Sequence, residues 1–287
     1  MPFEPKLNVL MAYPYTRADS IAFLAERQDR MRVLIDSGAF TAHSTGKPIR
    51  LDCYCAFIND LPFEPWHYFQ LDVIGNPEAT AANYYAMLEK GFKPIPVYTR
   101  VADPAYIEEF YKTTDYIGVG GLVGARHEAR NRAIAKAMKA ANGRKVHLLG
   151  CTDIKLLKAF RPYSVDSSSW SGSCRYGEVQ CYMGHGRFRK VFKREMVDRP
   201  QSWFVNYCAS IGVSVLDLSK QTAWINSRKL DRHHMMLSCL SWVWFALDVE
   251  RHLGVKVFLA AGELEHLRIM VEAFDFISAK YFGGGRG

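Results

Sequence analysis

The chain has 287 residues, with 37 Lys and Arg against 29 Asp and Glu and a formal charge of +8. Hydrophobic residues make up 49% and charged residues 23%, an ordinary globular composition that excludes a disordered or fibrous chain. The longest apolar stretch, residues 237–247, is broken by Ser238 and Ser241 and stops at Asp248, too short to span a bilayer.

Short apolar, β-branched runs recur along the chain, with amphipathic segments between them. The first run, 9–13, precedes a helical pattern that starts at Asp19 and extends to Arg30. Runs at 33–35 and 68–73 follow, and Pro77 then opens a helix that ends before Gly91. After the run at 94–98, Asp103 and Pro104 open a helix through Lys112. The run at 116–119 leads to a long basic helix, 126–141, closed by Asn142 and Gly143. Runs at 146–149 and 163–165 are separated by a helix that Thr152 and Asp153 cap. Residues 170–212 interrupt the alternation, and 213–216 is read as the eighth strand.

Strand then helix, about eight times over, predicts a (β/α)8 TIM barrel. It would occupy residues 1–287 as a single domain, with a basic insertion at about 170–212 after strand seven. An open doubly wound sheet is the rival. It normally carries a Gly-rich turn after its first strand, where this chain has Tyr13, Pro14 and Tyr15. Seven cysteines, an odd number and thinly spread, together with an N-terminus that reaches Glu4 and Pro5 before any apolar run, lead us to expect a cytoplasmic protein with reduced thiols.

In a barrel the chemistry sits just past the carboxyl ends of the strands. DSGAF at 36–40 ends the second run, Asp72 the third, and GVGGL at 118–122 the fifth. Leu149 and Gly150 end the sixth, and DSSSW at 166–170 the seventh. Three carboxylates, Asp36, Asp72 and Asp166, would therefore face one mouth, with glycines opening the rim between them. Facing carboxylates suit acid–base work and nucleophilic attack at an acetal-type carbon, and C1′ of a nucleoside is such a centre. A third Asp could accept from the N–H groups of the departing base, and Phe40 could stack on it.

Five segments in order, DSGAF at 36–40, QLDVIGNPE at 70–78, IGVGGLVG at 117–124, HLLG at 147–150 and VDSSSW at 165–170, resemble the tRNA-guanine transglycosylase superfamily. Within that superfamily the chain looks most like the compact phage proteins related to the DpdA-type DNA 7-deazaguanine transglycosylases. The resemblance covers roughly residues 8–180 and implies that Asp166 is the nucleophile and Asp36 the general acid/base. It places Phe40 at the base-stacking position, Asp72 on the guanine edge, Gly120 and Gly121 along the base pocket, and Leu149 on its other face. Ser37, Gly38 and Gly150 complete the expected substrate-binding set. The reaction implied is exchange of guanine in a polynucleotide, DNA rather than tRNA, for a 7-deazaguanine, with no cofactor required.

Two departures from that pattern matter. The C-x-C-x-x-C zinc motif of the bacterial and archaeal enzymes is absent. Cys174, Cys181, His185 and Cys208 are chemically able to form a thiolate–imidazole set, but their spacing is irregular and no metal is assigned. An acidic residue after the GGL loop is also missing, since Gly124, Ala125 and Arg126 stand there. Beyond Asp166, Arg175, Tyr176, Arg187, Arg189, Lys190, Lys193, Arg194 and Arg199, interleaved with Tyr182, Phe188 and Phe192, are read as a nucleic-acid surface of phosphate contacts and stacking rings. A tRNA-directed enzyme, a carboxylate-dependent nucleoside or glycoside hydrolase and a non-catalytic nucleic-acid-binding barrel remain the alternatives.

Overall fold

Strand and helix alternate along the chain as the apolar runs require. The computed structural model describes residues 3–192, 195–196, 200–219 and 232–283, without the side chains of Arg175 and Ser219. These residues fall into two compact units, one of residues 8–167 with 253–264 and one of residues 1–7, 168–252 and 265–287.

The first unit is α/β. Its elements run β1 (Leu7–Ala12), α1 (Ala18–Ala25), β2 (Met31–Asp36), α2 (Ala39–Thr45), α3 (Leu51–Asn59), β3 (His67–Tyr68) and α4 (Pro77–Glu89). They continue with β4 (Val97–Thr99), α5 (Ala105–Phe110), β5 (Tyr116–Gly120), α6 (His127–Ala141), β6 (Lys145–Leu148), α7 (Ile154–Phe160) and β7 (Ser164–Ser167). After the second unit's α8 (Ser169–Gly172), β8 (Glu178–Tyr182), β9 (Phe188–Phe192), α9 (Ser202–Ser210), α10 (Val215–Ser219) and α11 (Arg232–Leu253), the chain returns to the first unit for β10 (Lys256–Ala261), and α12 (Leu264–Ile277) belongs again to the second. Asp153 Oδ1 accepts from Lys155 N–H at the start of α7 and Asn142 ends α6 in the left-handed region, as the sequence indicates. Asn76 Oδ1 accepts from Ala79 N–H at the start of α4, and α1, expected to extend to Arg30, ends at Ala25.

Eight strands form one curled parallel sheet in the order β3-β2-β1-β10-β7-β6-β5-β4. The expected eighth strand at 213–216 is corrected: Val215–Ser219 is helical, Ser214 Oγ accepts from Asp217 N–H at its start, and Leu216 is exposed. The eighth strand is β10, an apolar run between Gly254 and Gly262, and it fills the gap between β1 and β7. At the two ends of the order, Phe69 just after β3 bridges Ile95 just before β4. Ile95 N–H donates to Tyr68 O at 2.8 Å and Gln70 N–H to Ile95 O at 3.0 Å.

Side chains alternate across a strand, so one parity of residues fills one face. Leu10, Leu34, Phe69, Ile95, Val97, Tyr116 and Phe258 pack together there as a buried core. Toward the amino ends of the strands, Trp66 stacks on Phe258 (centroids 5.1 Å apart) and on Tyr163 (5.9 Å), and Lys256 Nζ sits 4.1 Å over the Tyr163 ring.

The second unit pairs β8 and β9 as an antiparallel hairpin. The Tyr182 hydroxyl donates to Asp248 of α11, and its backbone N–H donates to Tyr207 Oη at 3.1 Å. Phe188, Trp244 and Phe245 pack around the Tyr182 ring. Trp242 and Phe245 of α11 are buried. No helix among the described residues is long and apolar enough to cross a membrane.

The seam between β3 and β4 generates a test. The buried Tyr54 hydroxyl of α3 donates to Phe69 O at 2.7 Å. Tyr54→Phe strands that carbonyl and is expected to cost about 1–3 kcal/mol, the penalty for a buried acceptor without a partner, read as a lower urea midpoint at unchanged m.

Candidate functional site

Parity carries the core face upward into the site. Asp36 lies two residues after Leu34, Leu149 two after His147, Gly118 and Gly120 two and four after Tyr116, and Asp166 two after Ser164. The sheet therefore brings Asp36, Gly120, Leu149 and Asp166 to one end of one face. Asp72 lies in the loop after the Phe69 bridge rather than in a strand, because β3 is only His67–Tyr68.

Each carboxylate is half-buried and held differently. Asp36 Oδ2 accepts from Gly38 N–H at 3.1 Å. Asp72 Oδ1 accepts from the buried Ser37 hydroxyl at 3.1 Å. Asp166 Oδ1 accepts from Gly150 N–H at 2.8 Å and pairs with His147 Nε2 at 3.0 Å. Burial, and then the charges of Asp72 and Asp166, raise the pKa of Asp36 from an ordinary 3.8 to about 7. Burial also raises that of Asp72, against the Ser37 hydrogen bond that lowers it.

Two glycines fix the backbone that presents these groups. Gly38 has φ +76°, and a Cβ there would lie 2.3 Å from Pro14 Cδ, so the DSGAF turn packs directly on the loop after β1. Gly150 has φ +64°, and its Cβ would lie 2.5 Å from Val123 Cγ2. Gly118 has no room for a side chain either, with Leu149 Cδ1 and Phe69 Cε1 each 3.0 Å from where its Cβ would be. Gly121 offers its carbonyl to Arg100 Nε at 2.9 Å. Phe40 is 71% exposed at the start of α2, open to a stacking partner. A cleft of about 310 Å³ runs between α2 and the Asp72 loop, walled by Ala42, His43, Ile49, Asp72, Ile74 and Asn83 among others.

His147 was not among the residues singled out from the sequence. It is fully buried and tied on both ring nitrogens, Nδ1 to Ser164 Oγ at 2.5 Å and Nε2 to Asp166. Tyr116 Oη in turn meets Ser164 Oγ at 2.5 Å. The signal was available: a His sharing the inward parity of a strand cannot be buried unless its ring nitrogens find partners.

Among the described residues no three His, Cys, Asp or Glu side chains form a metal-binding group. Cys174, Cys181, His185 and Cys208, chemically able to ligate a metal but assigned none, do not form such a group. Cys174 is buried and contacts the carbonyls of Trp170 and His234. Cys181 is buried on β8, Cys208 is buried on α9, and His185 sits exposed in the hairpin turn.

Of the expected nucleic-acid residues, Tyr176 is 86% exposed, and Arg187, Arg189 and Lys190 are exposed on the hairpin. Arg189 lies 3.8 Å over the Trp203 ring, and Lys190 pairs with Glu178 at 2.9 Å. Tyr182 is buried and Phe188 packs against Trp242, so these two rings serve the core and not a bound base, while Phe192 is exposed. Lys193, Arg194, Arg199 and the side chain of Arg175 lie outside the described residues.

No protein-family model matches the chain, and no curated protein matches it.

Asp36 makes the stability of the fold depend on pH with a definite sign. Between about pH 4 and 7 the folded chain keeps a proton that the unfolded chain has released, so this group's contribution to stability declines over that window and is level above it. Asp36→Asn has no such decline. Its urea midpoint is expected to gain on that of the wild type from pH 4 to 7, and parallel profiles would contradict the assignment.

Proposed function

We propose that the chain is a base-exchange transglycosylase that replaces guanine in a polynucleotide with a 7-deazaguanine, and that its eight strands close as a (β/α)8 barrel. The observation that carries the reading is the division of roles among the carboxylates at one end of the sheet: Asp166 held by donors on Oδ1, and Asp36 raised to a pKa of about 7. A carboxylate held by donors suits attack, and a carboxyl poised near neutrality suits proton transfer. Closure is supported by the two backbone hydrogen bonds that join Ile95 to Tyr68 and Gln70. Resemblance of the five segments to the tRNA-guanine transglycosylase superfamily supports the substrate class.

Mechanistically, Asp166 Oδ2 attacks C1′ of the target nucleotide as the C1′–N9 bond breaks, forming a glycosyl ester. Asp36 gives its proton to the leaving guanine and becomes a carboxylate. It then takes the N9 proton of the incoming 7-deazaguanine, whose N9 attacks C1′ while the ester bond to Asp166 breaks. Protons and bonds balance, and one base replaces the other without an external energy source. Asp72, held by Ser37 and opening on the 310 Å³ cleft, would accept from the N–H edge of the base, and Phe40 would stack on it. The target must leave its helix stack for C1′ to be reached.

The exposed Arg187, Arg189 and Lys190, with the surplus charge of the chain, support a polynucleotide partner. We favour DNA over tRNA on the resemblance to the phage branch, and the seven free thiols fit a cytoplasmic setting.

Incubation with radiolabelled guanine and either duplex DNA or tRNA tests the reading. Label is expected to enter DNA with the wild type and not with Asp166→Asn, and only the wild type should yield a covalent protein–DNA adduct on denaturation. Guanine released without incorporation would mean a hydrolase, and undiminished exchange by Asp166→Asn would remove the nucleophile.

A further inference from the structure

We propose that His147 is a positioning residue for Asp166, and that Ser164 and Tyr116 serve to hold its ring in the tautomer that does this. The role rests on the proposed function only in naming what Asp166 does; the hydrogen-bond chain is a property of the fold.

Four groups on three adjacent strands, Tyr116 of β5, His147 of β6, and Ser164 and Asp166 of β7, make one continuous line of hydrogen bonds. Register sets it up, since Gly118 pairs with His147 across β5 and β6, and His147 with Ser164 across β6 and β7. Tyr116, His147 and Ser164 are buried, so none can turn to water for a substitute partner. Phe69 stands edge-to-face on the imidazole at 5.0 Å, and Phe258 lies at 6.4 Å, so the ring is fixed from β3 and β10 as well. Those two rings bring no charge. The charged group facing His147 is Asp166, with the Tyr116 hydroxyl one step further along the line.

Counting protons leaves one consistent arrangement when Asp166 is ionised and the ring of His147 is neutral. A carboxylate only accepts, so His147 Nε2 must carry the hydrogen. A neutral ring then has a bare Nδ1, which must accept, and the donor present is the Ser164 hydroxyl. Having given its hydrogen to His147, Ser164 Oγ accepts from Tyr116, a phenol that burial keeps protonated. The line therefore runs Tyr116 to Ser164 to His147 to Asp166, every donor matched by an acceptor. Together with Gly150 N–H, it places both restraints on Oδ1, and Oδ2 makes no hydrogen bond among the described residues. The carboxylate is held by one oxygen so that the other is aimed.

The experiment has two arms. In the first, the tautomer is read directly by long-range nitrogen–proton correlation NMR on uniformly 15N-labelled wild-type protein at neutral pH. A protonated Nε2 with a bare Nδ1 for His147 is expected, and a protonated Nδ1 would overturn the proposal whether or not base exchange is ever observed. In the second arm, exchange kinetics compare His147→Leu, His147→Gln and Ser164→Ala. Leucine fills the space without a donor and should lower kcat on the order of 100-fold with KM for the base nearly unchanged, the loss that follows when a reacting group is misaimed. Glutamine keeps an N–H for Asp166 and should recover all but about 10-fold. Ser164→Ala, which acts only through His147, should fall between wild type and His147→Leu. Equal losses for leucine and glutamine that track a raised KM and a lowered melting temperature would mean that His147 only packs. Absence of exchange in the wild type would sink the proposed function, and the NMR result would still decide the role of His147.

Discussion

Three carboxylates share the carboxyl end of one parallel sheet, and in a half-buried setting they repel one another. That repulsion, added to desolvation, is the constraint on which the site depends. It is relieved unequally. Asp166 meets the Gly150 N–H and the His147 ring on one oxygen, Asp72 receives the Ser37 hydroxyl, and Asp36 accepts from the Gly38 N–H while burial and its two neighbours raise its pKa to about 7. In the proposed reaction one residue type would thus supply both the attacking group and the proton-transfer group, with local partners deciding which is which.

The surrounding backbone is shaped to deliver those partners. Gly38 and Gly150 each place an N–H on a carboxylate, and both have positive φ where a Cβ would strike a neighbouring loop. Neither turn can be loosened without moving a donor, so the precision of the site is set by packing between loops as much as by the strands beneath.

Much of this was legible in the sequence. The first seven strands lie on near-continuous apolar runs, although β3 shares only Tyr68 with the run at 68–73, and helix ends such as Asn142 and Asp153 follow from cap chemistry. Placement of Asp36 and Asp166 followed from strand ends. The eighth strand was misread because 213–216 looks apolar on its own, whereas Ser214 and Asp217 make it a helix start; the true strand lies beyond a 22-residue helix, where alternation had ceased to guide. Tyr182 and Phe188 looked available beside basic neighbours, yet a hairpin needs one packed face, and they supply it. His147 went unread because it is defined by partners on two other strands, and strand register is what a sequence displays least.

The position of β10 in the sheet has a consequence for how the chain is made. Seven strands leave the ribosome by Ser167, but the strand that belongs between β1 and β7 does not emerge until Lys256. At bacterial to eukaryotic synthesis rates the roughly ninety intervening residues take about 4–18 s. For that interval β1 and β7 are both unfinished edges with open backbone donors and acceptors, and β7 carries Asp166. The last third of the chain therefore acts as the closing step of the first unit's assembly, and a nascent chain halted before β10 holds every residue of the site without the strand that seats it.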